Sequence, residues 1–171
     1  MTSTHTPQPA AGQKLPTNQV VPLMVALLVA VFAFQLNASM LAPALATMES
    51  DLNATTAQIG MTQTAFFTAA AVFALFMPRW GDLIGRRKVL VGMMAVTVLG
   101  SVVAALATNV TMLFIGRVIQ GVSGPTVALT SVMLRQAVRE EKQFAFLVGI
   151  LTSVNGGIAG IDALLGGWLT D

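Results

Sequence analysis

The sequence predicts an all-α membrane protein, and three observations predict it. Hydrophobic residues make up 55 % of the 171-residue chain and charged residues only 9 %, against about 25 % charged in an ordinary water-soluble domain. Mean hydropathy is +0.78, and too few charges exist to clothe a surface facing water. Windows of about 19 or more residues with at most one charge recur along the chain, each long enough to cross a roughly 30 Å hydrocarbon core as a helix. Helices are preferred over a barrel because every backbone polar group in lipid must be paired within its own segment, and the alternating ten-residue pattern of barrel strands is absent.

Residues 1–19 are polar and contain proline, which reads as a disordered cytoplasmic tail without a compact signal-peptide pattern. Five spans follow from the apolar windows: helix 1 at Val20–Leu41, helix 2 at Ala57–Met77, helix 3 at Val89–Ala107, helix 4 at Val110–Leu134 and helix 5 at Phe144–Leu169. The chain stops just after helix 5, whose many glycines suit close packing against neighbours. The expectation is therefore the first part of a longer protein, with no sixth helix.

Basic residues orient the spans, because loops near helix ends on the cytoplasmic side carry the excess of Lys and Arg. Lys14 precedes helix 1, Arg79, Arg86, Arg87 and Lys88 follow helix 2, and Arg135, Arg139 and Lys142 follow helix 4. The opposite loops carry Glu49 and Asp51 and no basic residue. This places the N-terminus in the cytoplasm and Asp171 outside it, in a multi-pass protein of the plasma membrane, the inner membrane in a bacterium.

Several functions are excluded by what the chain lacks. A net charge of +2 spread over loops offers no basic face with stacking aromatics, so nucleic acid is not a partner. With no Cys and with His5 the only His, thiolate or imidazole metal sites and a Ser/His/Asp set within the spans are not available. No phosphate-binding G-x-x-x-x-G-K-(S/T) loop occurs. The run Gly121-Val122-Ser123-Gly124-Pro125 reads as helix packing, not a phosphate cradle, and the ten Met residues as apolar filler. Sequons at Asn37, Asn53 and Asn109 read as chance. No enzyme and no cofactor is expected.

Four segments carry more specific chemistry. The stretch after helix 2 reads Pro78-Arg79-Trp80-Gly81-Asp82-Leu83-Ile84-Gly85-Arg86-Arg87-Lys88, where Gly85 permits a tight reversal and Asp82 can accept donors at a helix end. Helix 4 holds Arg117, Gln120 and Gly121 in R-x-x-Q-G spacing. Helix 5 ends its small-residue run in Asp162-Ala163-Leu164-Leu165-Gly166-Gly167, and helix 1 ends Asn37-Ala38-Ser39-Met40-Leu41-Ala42-Pro43-Ala44-Leu45. Together, in their order along the chain, the segments resemble the major facilitator superfamily. The first resembles its D-x-x-G-R-R signature between helices 2 and 3, with Pro78 and Leu83 in place of the usual Gly and basic residue. The second resembles the helix 4 signature of drug/proton antiporters. The third is similar to the G-P-x-x-G-G stretch of antiporters but has Asp162 and Ala163 where Gly and Pro are expected. The fourth is similar to the end of helix 1 in multidrug exporters, with Asn37 in place of Asp.

The resemblance implies a secondary transporter of a small solute or drug, proton-coupled, with two six-helix halves and a substrate site between them near the midplane. This chain is then an incomplete N-terminal half, whose partners are the bilayer, the substrate, protons and the remaining half. A non-transporting membrane fragment, or a small subunit packed on another membrane protein, is the competing reading.

Depth arithmetic relates the polar residues independently. Asn37, Gln63, Arg117 and Asp162 lie four, six, seven and seven residues from the estimated outer helix ends, or roughly 6 to 10 Å deep at 1.5 Å per residue. Arg117 and Asp162 are the only ionisable residues inside spans, with opposite signs at matched depth. They are expected to pair across helices 4 and 5, with Asp162 the proton carrier and Arg117 its tuner. The alternative is that Arg117 snorkels alone. Arg117, Asp162, Asn37, Gln63 and Gln120 are the candidates for coupling or the substrate cavity, and Asp82, Gly85, Arg86 and Arg87 for a cytoplasmic gating loop in which Asp82 caps a helix and the arginines anchor at the anionic surface.

Overall fold

The computed structural model describes residues 17–39, 47–138 and 140–170, with backbone alone for 17–19, 159 and 161–170. Among them no strand occurs. The helices whose limits are described follow in order: α1 Thr17–Ser39, α2 Thr56–Trp80, α3 Arg86–Ala105, α4 Val110–Gln120, α5 Thr126–Ala137 and α6 Glu141–Thr170, with residues 47–51 also helical. Most of the tail, Leu41, the stretch Ala42–Leu45, Arg139 and Asp171 lie outside the described residues.

Two helix starts have a side-chain cap. At α2, Thr55 and Gln58 form a reciprocal capping box, the Thr55 hydroxyl accepting from the Gln58 N–H at 3.2 Å and the Gln58 Oε1 accepting from the Thr55 N–H at 2.9 Å. At α4, the Asn109 Oδ1 accepts from the Met112 N–H at 2.9 Å.

Among the described residues, three helical stretches are long and apolar enough to cross a membrane: Val20–Ser39, Thr56–Ala105 and Val110–Ala137. The second has 50 residues, about 75 Å if straight, more than twice the hydrocarbon thickness. It folds back on itself. After Trp80 the backbone widens into a π-helical turn over Gly81–Gly85 and reverses at Gly85, whose φ is +101°. Both arms then pack against α4: a Cβ built on Gly121 would lie 2.5 Å from the Ala69 Cβ of α2, and one on Gly116 would lie 2.8 Å from the Ala104 backbone N of α3.

The observed helix limits differ from the apolar windows: α1 begins at Thr17 and not Val20, α2 at Thr56 and not Ala57, and α3 covers Arg86–Ala105 in place of Val89–Ala107. Helix 2 was expected to stop at Met77, before Pro78, but α2 runs to Trp80 and continues as the π turn. A proline deletes only one ladder hydrogen bond, four residues back, and the last turn tolerates it. Helix 4 was expected unbroken over Val110–Leu134, whereas α4 ends at Gln120 and a 3₁₀ turn over Gly121–Ser123 precedes α5. Pro125 has no N–H and its ring crowds the carbonyl of Gly121. The Ser123 hydroxyl donates to the Gln120 carbonyl at 2.7 Å and the Thr126 hydroxyl to that of Ser123. The small residues at the break press on α2, where a Cβ on Gly124 would lie 2.5 Å from the Ala70 Cβ. The last helix begins at Glu141 and not Phe144.

The main core joins Leu27, Ala30 and Val31 of α1 with Met77, Leu90, Met93, Leu129, Leu134 and Leu151. A second, smaller cluster joins Ile59 and Leu113 to Leu52, Ala104 and Ala107. These clusters lie at opposite ends, so the basic segments after α2 and after α5 share one end. Exposed apolar side chains form outward stripes, such as Val21, Val25, Val29 and Phe32 on α1. Such stripes would be costly in water and are neutral against lipid tails.

Candidate functional site

Arg117 is the organising side chain. It projects from the last turn of α4 and is 5 % exposed. Its Nη1 donates to the Asn37 backbone O at 2.9 Å, to the Asn37 Oδ1 at 3.0 Å and to the Gln120 Oε1 at 3.0 Å. Its Nη2 donates to the Gln63 Oε1, and its carbon centre lies 4.4 Å from the centroid of the Phe66 ring. Placing a charged Arg at the centre of a membrane helix costs on the order of 2.5 to 3.5 kcal/mol. Neutral acceptors and an aromatic face offset that cost here without neutralising the charge.

Three helices supply this cluster. Asn37 is in the last turn of α1, Gln63 and Phe66 stand three residues apart on one face of α2, and Gln120 follows Arg117 by three on α4. The Gln63 Nε2 also donates to the Ala38 carbonyl at 2.8 Å, so the end of α1 is held by α2 and α4 together. On the other side, the Gln120 Nε2 donates to the Ser101 Oγ of α3 at 3.0 Å.

The structure thus brings together four of the five candidates, Arg117, Asn37, Gln63 and Gln120. Sequence reasoning missed Ser101 and Phe66. A Ser and a Phe within apolar spans carry no signal by themselves. Their only mark was spacing, since Phe66 lies three residues from Gln63. Asp162 falls within α6, but its side chain lies outside the described residues, and so does the expected pairing with Arg117. Snorkelling is not what Arg117 does, because its guanidinium ends on buried partners from α1, α2 and α4. The Nε of Arg117 finds no acceptor among the described residues.

A cavity of about 960 Å³ runs between α1, α3 and α4 and is lined by Ala30, Asn37, Met94, Ser101, Arg117 and Gln120 among others. Arg87 stands at its far end. Its wall is mostly apolar, with amides and a hydroxyl gathered near Arg117.

At the other end, the gating candidates form a turn rather than a loop. The Arg86 Nη2 donates to the Asp82 Oδ1 at 2.7 Å and its Nε to the same oxygen at 3.2 Å, one helical turn apart. Gly81 lies under this pair, where a Cβ would meet the Arg86 Cγ at 3.2 Å and the Leu129 Cδ1 at 3.3 Å. Arg86 was expected to anchor at the surface and instead bends back onto Asp82, with its side chain only 22 % exposed. Arg87 is exposed. Among the described residues no cluster of metal-ligating side chains occurs.

These features define a multi-pass membrane protein with a buried cation, held by neutral groups, on the wall of an intramembrane cavity. Residues 27–171 match the model of the Major Facilitator Superfamily, and the chain belongs to that family, whose members are transporters and not enzymes. It is 61 % identical over 150 residues to a uridine/deoxyuridine transporter of Lactococcus lactis subsp. cremoris, covering 88 % of this chain and 31 % of that protein. It is 34 % identical over 152 residues to a multidrug efflux pump of Staphylococcus aureus, covering 86 % and 33 %. A multidrug transporter protein of Bacillus subtilis is 26 % identical over 149 residues, covering 87 % and 27 %. The chain thus spans about a third or less of the length of these relatives. No solved structure matches it significantly.

Proposed function

We infer that these helices belong to the N-terminal half of a secondary transporter for a neutral polar solute of the uridine or deoxyuridine type, with the Arg117 cluster at its substrate and coupling site. One observation carries this reading: a buried guanidinium, whose Nε–H has no acceptor among the described residues, stands among amides on the wall of a mostly apolar cavity. A nucleoside offers carbonyl and hydroxyl groups that such donors and acceptors can bind without a countercharge. The 61 % identity to the lactococcal uridine/deoxyuridine transporter supports the same substrate class.

Proton coupling is the finer part of the proposal. Arg117 stays protonated at physiological pH, so the proton carrier is Asp162 of α6, and Arg117 is its tuner. Protonating Asp162 releases Arg117 to engage another group and gives helix movement a chemical cause. The turn at Asp82, Gly85 and Arg86, with Arg87 beside it, serves as the cytoplasmic latch between inward and outward states. The eight basic residues at one set of helix ends support a cytoplasmic N-terminus in the plasma membrane. Drug/proton antiport is the second reading, favoured by the R-x-x-Q-G spacing and by the identity to the staphylococcal pump.

The test is radiolabelled uridine uptake by a full-length transporter carrying these residues, in cells lacking other nucleoside uptake. Saturable uptake that competes with deoxyuridine, falls with a protonophore and is lost in Arg117→Gln is expected. Resistance to cationic drugs without uridine uptake would favour the second reading.

A further inference from the structure

Ser101 of α3 makes no contact that its own residue type advertises, yet its hydroxyl closes a chain that begins at Arg117. The Ser101 Oγ donates to the Thr97 carbonyl at 3.0 Å and accepts from the Gln120 Nε2 at 3.0 Å. A hydroxyl has one proton, and the Thr97 carbonyl can only accept it. Ser101 therefore meets Gln120 as an acceptor, and the amide must turn its NH₂ group toward α3. Its Oε1 is then left facing the Arg117 Nη1 at 3.0 Å. The flipped amide would set its NH₂ against the guanidinium, donor against donor.

The approach that makes this contact possible is built into the seam between α3 and α4. A Cβ on Gly100 would lie 2.9 Å from the Gln120 backbone N, and one on Gly116 would lie 2.9 Å from the Ala104 Cβ. Glycine at both positions lets the helices close until a side chain as short as serine reaches the Gln120 amide. Thr97 and Gln120 are buried and Ser101 is half-buried on the cavity wall.

We propose that Ser101 is a positioning residue for Arg117, acting through Gln120: it holds the amide oxygen toward the guanidinium and so keeps the Arg117 fork in register with Asn37 and Gln63. The proposal rests on the reading of the Arg117 cluster as the transport site only for its consequence in uptake. The orientation itself is independent of that reading.

The test has two arms, both in the full-length transporter. In the first, apparent Tm is measured in detergent for Ser101→Ala, Arg117→Gln and the double variant. Coupling is expected, with the Ser101→Ala shift at most about half as large once Arg117 is gone, and simple additivity overturns the proposal. In the second, the KM for uridine is measured. Ser101→Ala should raise KM about threefold to tenfold, the range one oriented hydrogen bond spans, while Ser101→Thr retains the parental value. A Ser101 that only packs would lower Tm and leave KM unchanged, and that result, or a Thr variant behaving like the Ala variant, overturns the assignment. Should Arg117→Gln fail to accumulate, Gln120→Glu replaces it in the first arm, because a carboxylate has two acceptors and no orientation to lose. The Ser101→Ala shift must then shrink in that background, and an undiminished shift refutes the proposal. If the parent takes up no uridine, the substrate reading fails and the thermal arm still decides the role of Ser101.

Discussion

Arg117 of α4 and Asn37 of α1 lie 80 residues apart in sequence, and one guanidinium nitrogen holds both the backbone and the side-chain oxygen of Asn37, at 2.9 and 3.0 Å. This contact sits where the described part of α1 ends. Arg117 is therefore both a charge in the cavity wall and the tie between α1 and α4.

Arg117→Lys should fail where the charge is kept. A lysine ammonium is a point charge on a flexible stem, without the planar fork that reaches Asn37, Gln63 and Gln120 together. The initial rate of uridine uptake is expected to fall at least about tenfold, equivalent to about 1.4 kcal/mol, with surface abundance unchanged. Uptake within twofold of the parent would show that charge alone suffices.

Gly121→Val should disrupt the helix contact between α4 and α2. The added Cβ would lie 2.5 Å from the Ala69 Cβ and 2.8 Å from the Phe66 carbonyl O, and overpacking of this kind costs about 1 to 3 kcal/mol or more. A lowered apparent Tm and a smaller monodisperse fraction in detergent are expected. Gly149→Ala, where nothing among the described residues lies within 4 Å, is the matched control and should leave both unchanged.

Gly85→Ala tests the reversal between α2 and α3. Among the described residues no atom crowds this position, so the penalty comes from the backbone at φ +101° and ψ 126°, a conformation that costs an L-residue about 1 to 3 kcal/mol. Apparent Tm should fall, and the loss should be similar for Gly85→Ser, since side-chain size is not the cause. A much larger loss with Ser would point to a steric contact instead.

Asp82→Asn removes one partner of an ion pair whose carboxylate side is 61 % exposed, and pairs of that kind contribute about 0 to 1 kcal/mol. Thermal stability should barely change. Uptake should fall several-fold if the turn is the latch proposed above, and the proportion of cavity accessible from each side should shift. Unchanged uptake and accessibility would reduce Asp82 to surface.

Asp162→Asn and Arg117→Gln should each reduce proton-driven uptake, and the double variant should be less damaging than the two losses combined. Measuring uptake against an imposed pH gradient checks this. Strict additivity would separate the two residues and leave proton transfer to another group.

Much of the polar layer was legible before any coordinates. Asn37, Gln63 and Arg117 fall at similar depth once the spans are drawn, because rise per residue is fixed and the bilayer gives the helices a common origin. Depth does not give rotation. Nothing in a serine at position 101 or a phenylalanine at 66 says which way α3 or α2 turns, and the residues that orient and stack on Arg117 were therefore invisible. The same gap explains Arg86, whose place among basic residues pointed to the membrane surface, whereas the π turn brings it back over Asp82.

By itself the sequence determined the class of protein and its elements, since apolar length, scarce charge and the need to pair every backbone group in lipid leave helices as the answer. It also determined where charge was costly enough to require partners, at Arg117. Tertiary structure decided who those partners are. Glycines at 100, 116, 121 and 124 let α4 and the turn after it approach α2 and α3 closely, and Pro125 breaks the span just beyond Gln120. Close approach and a broken helix set the rotations that aim Arg117 at Asn37, Gln63 and Gln120. A hydrogen bond needs direction as well as distance, and direction is a property of packed helices, not of their order along the chain.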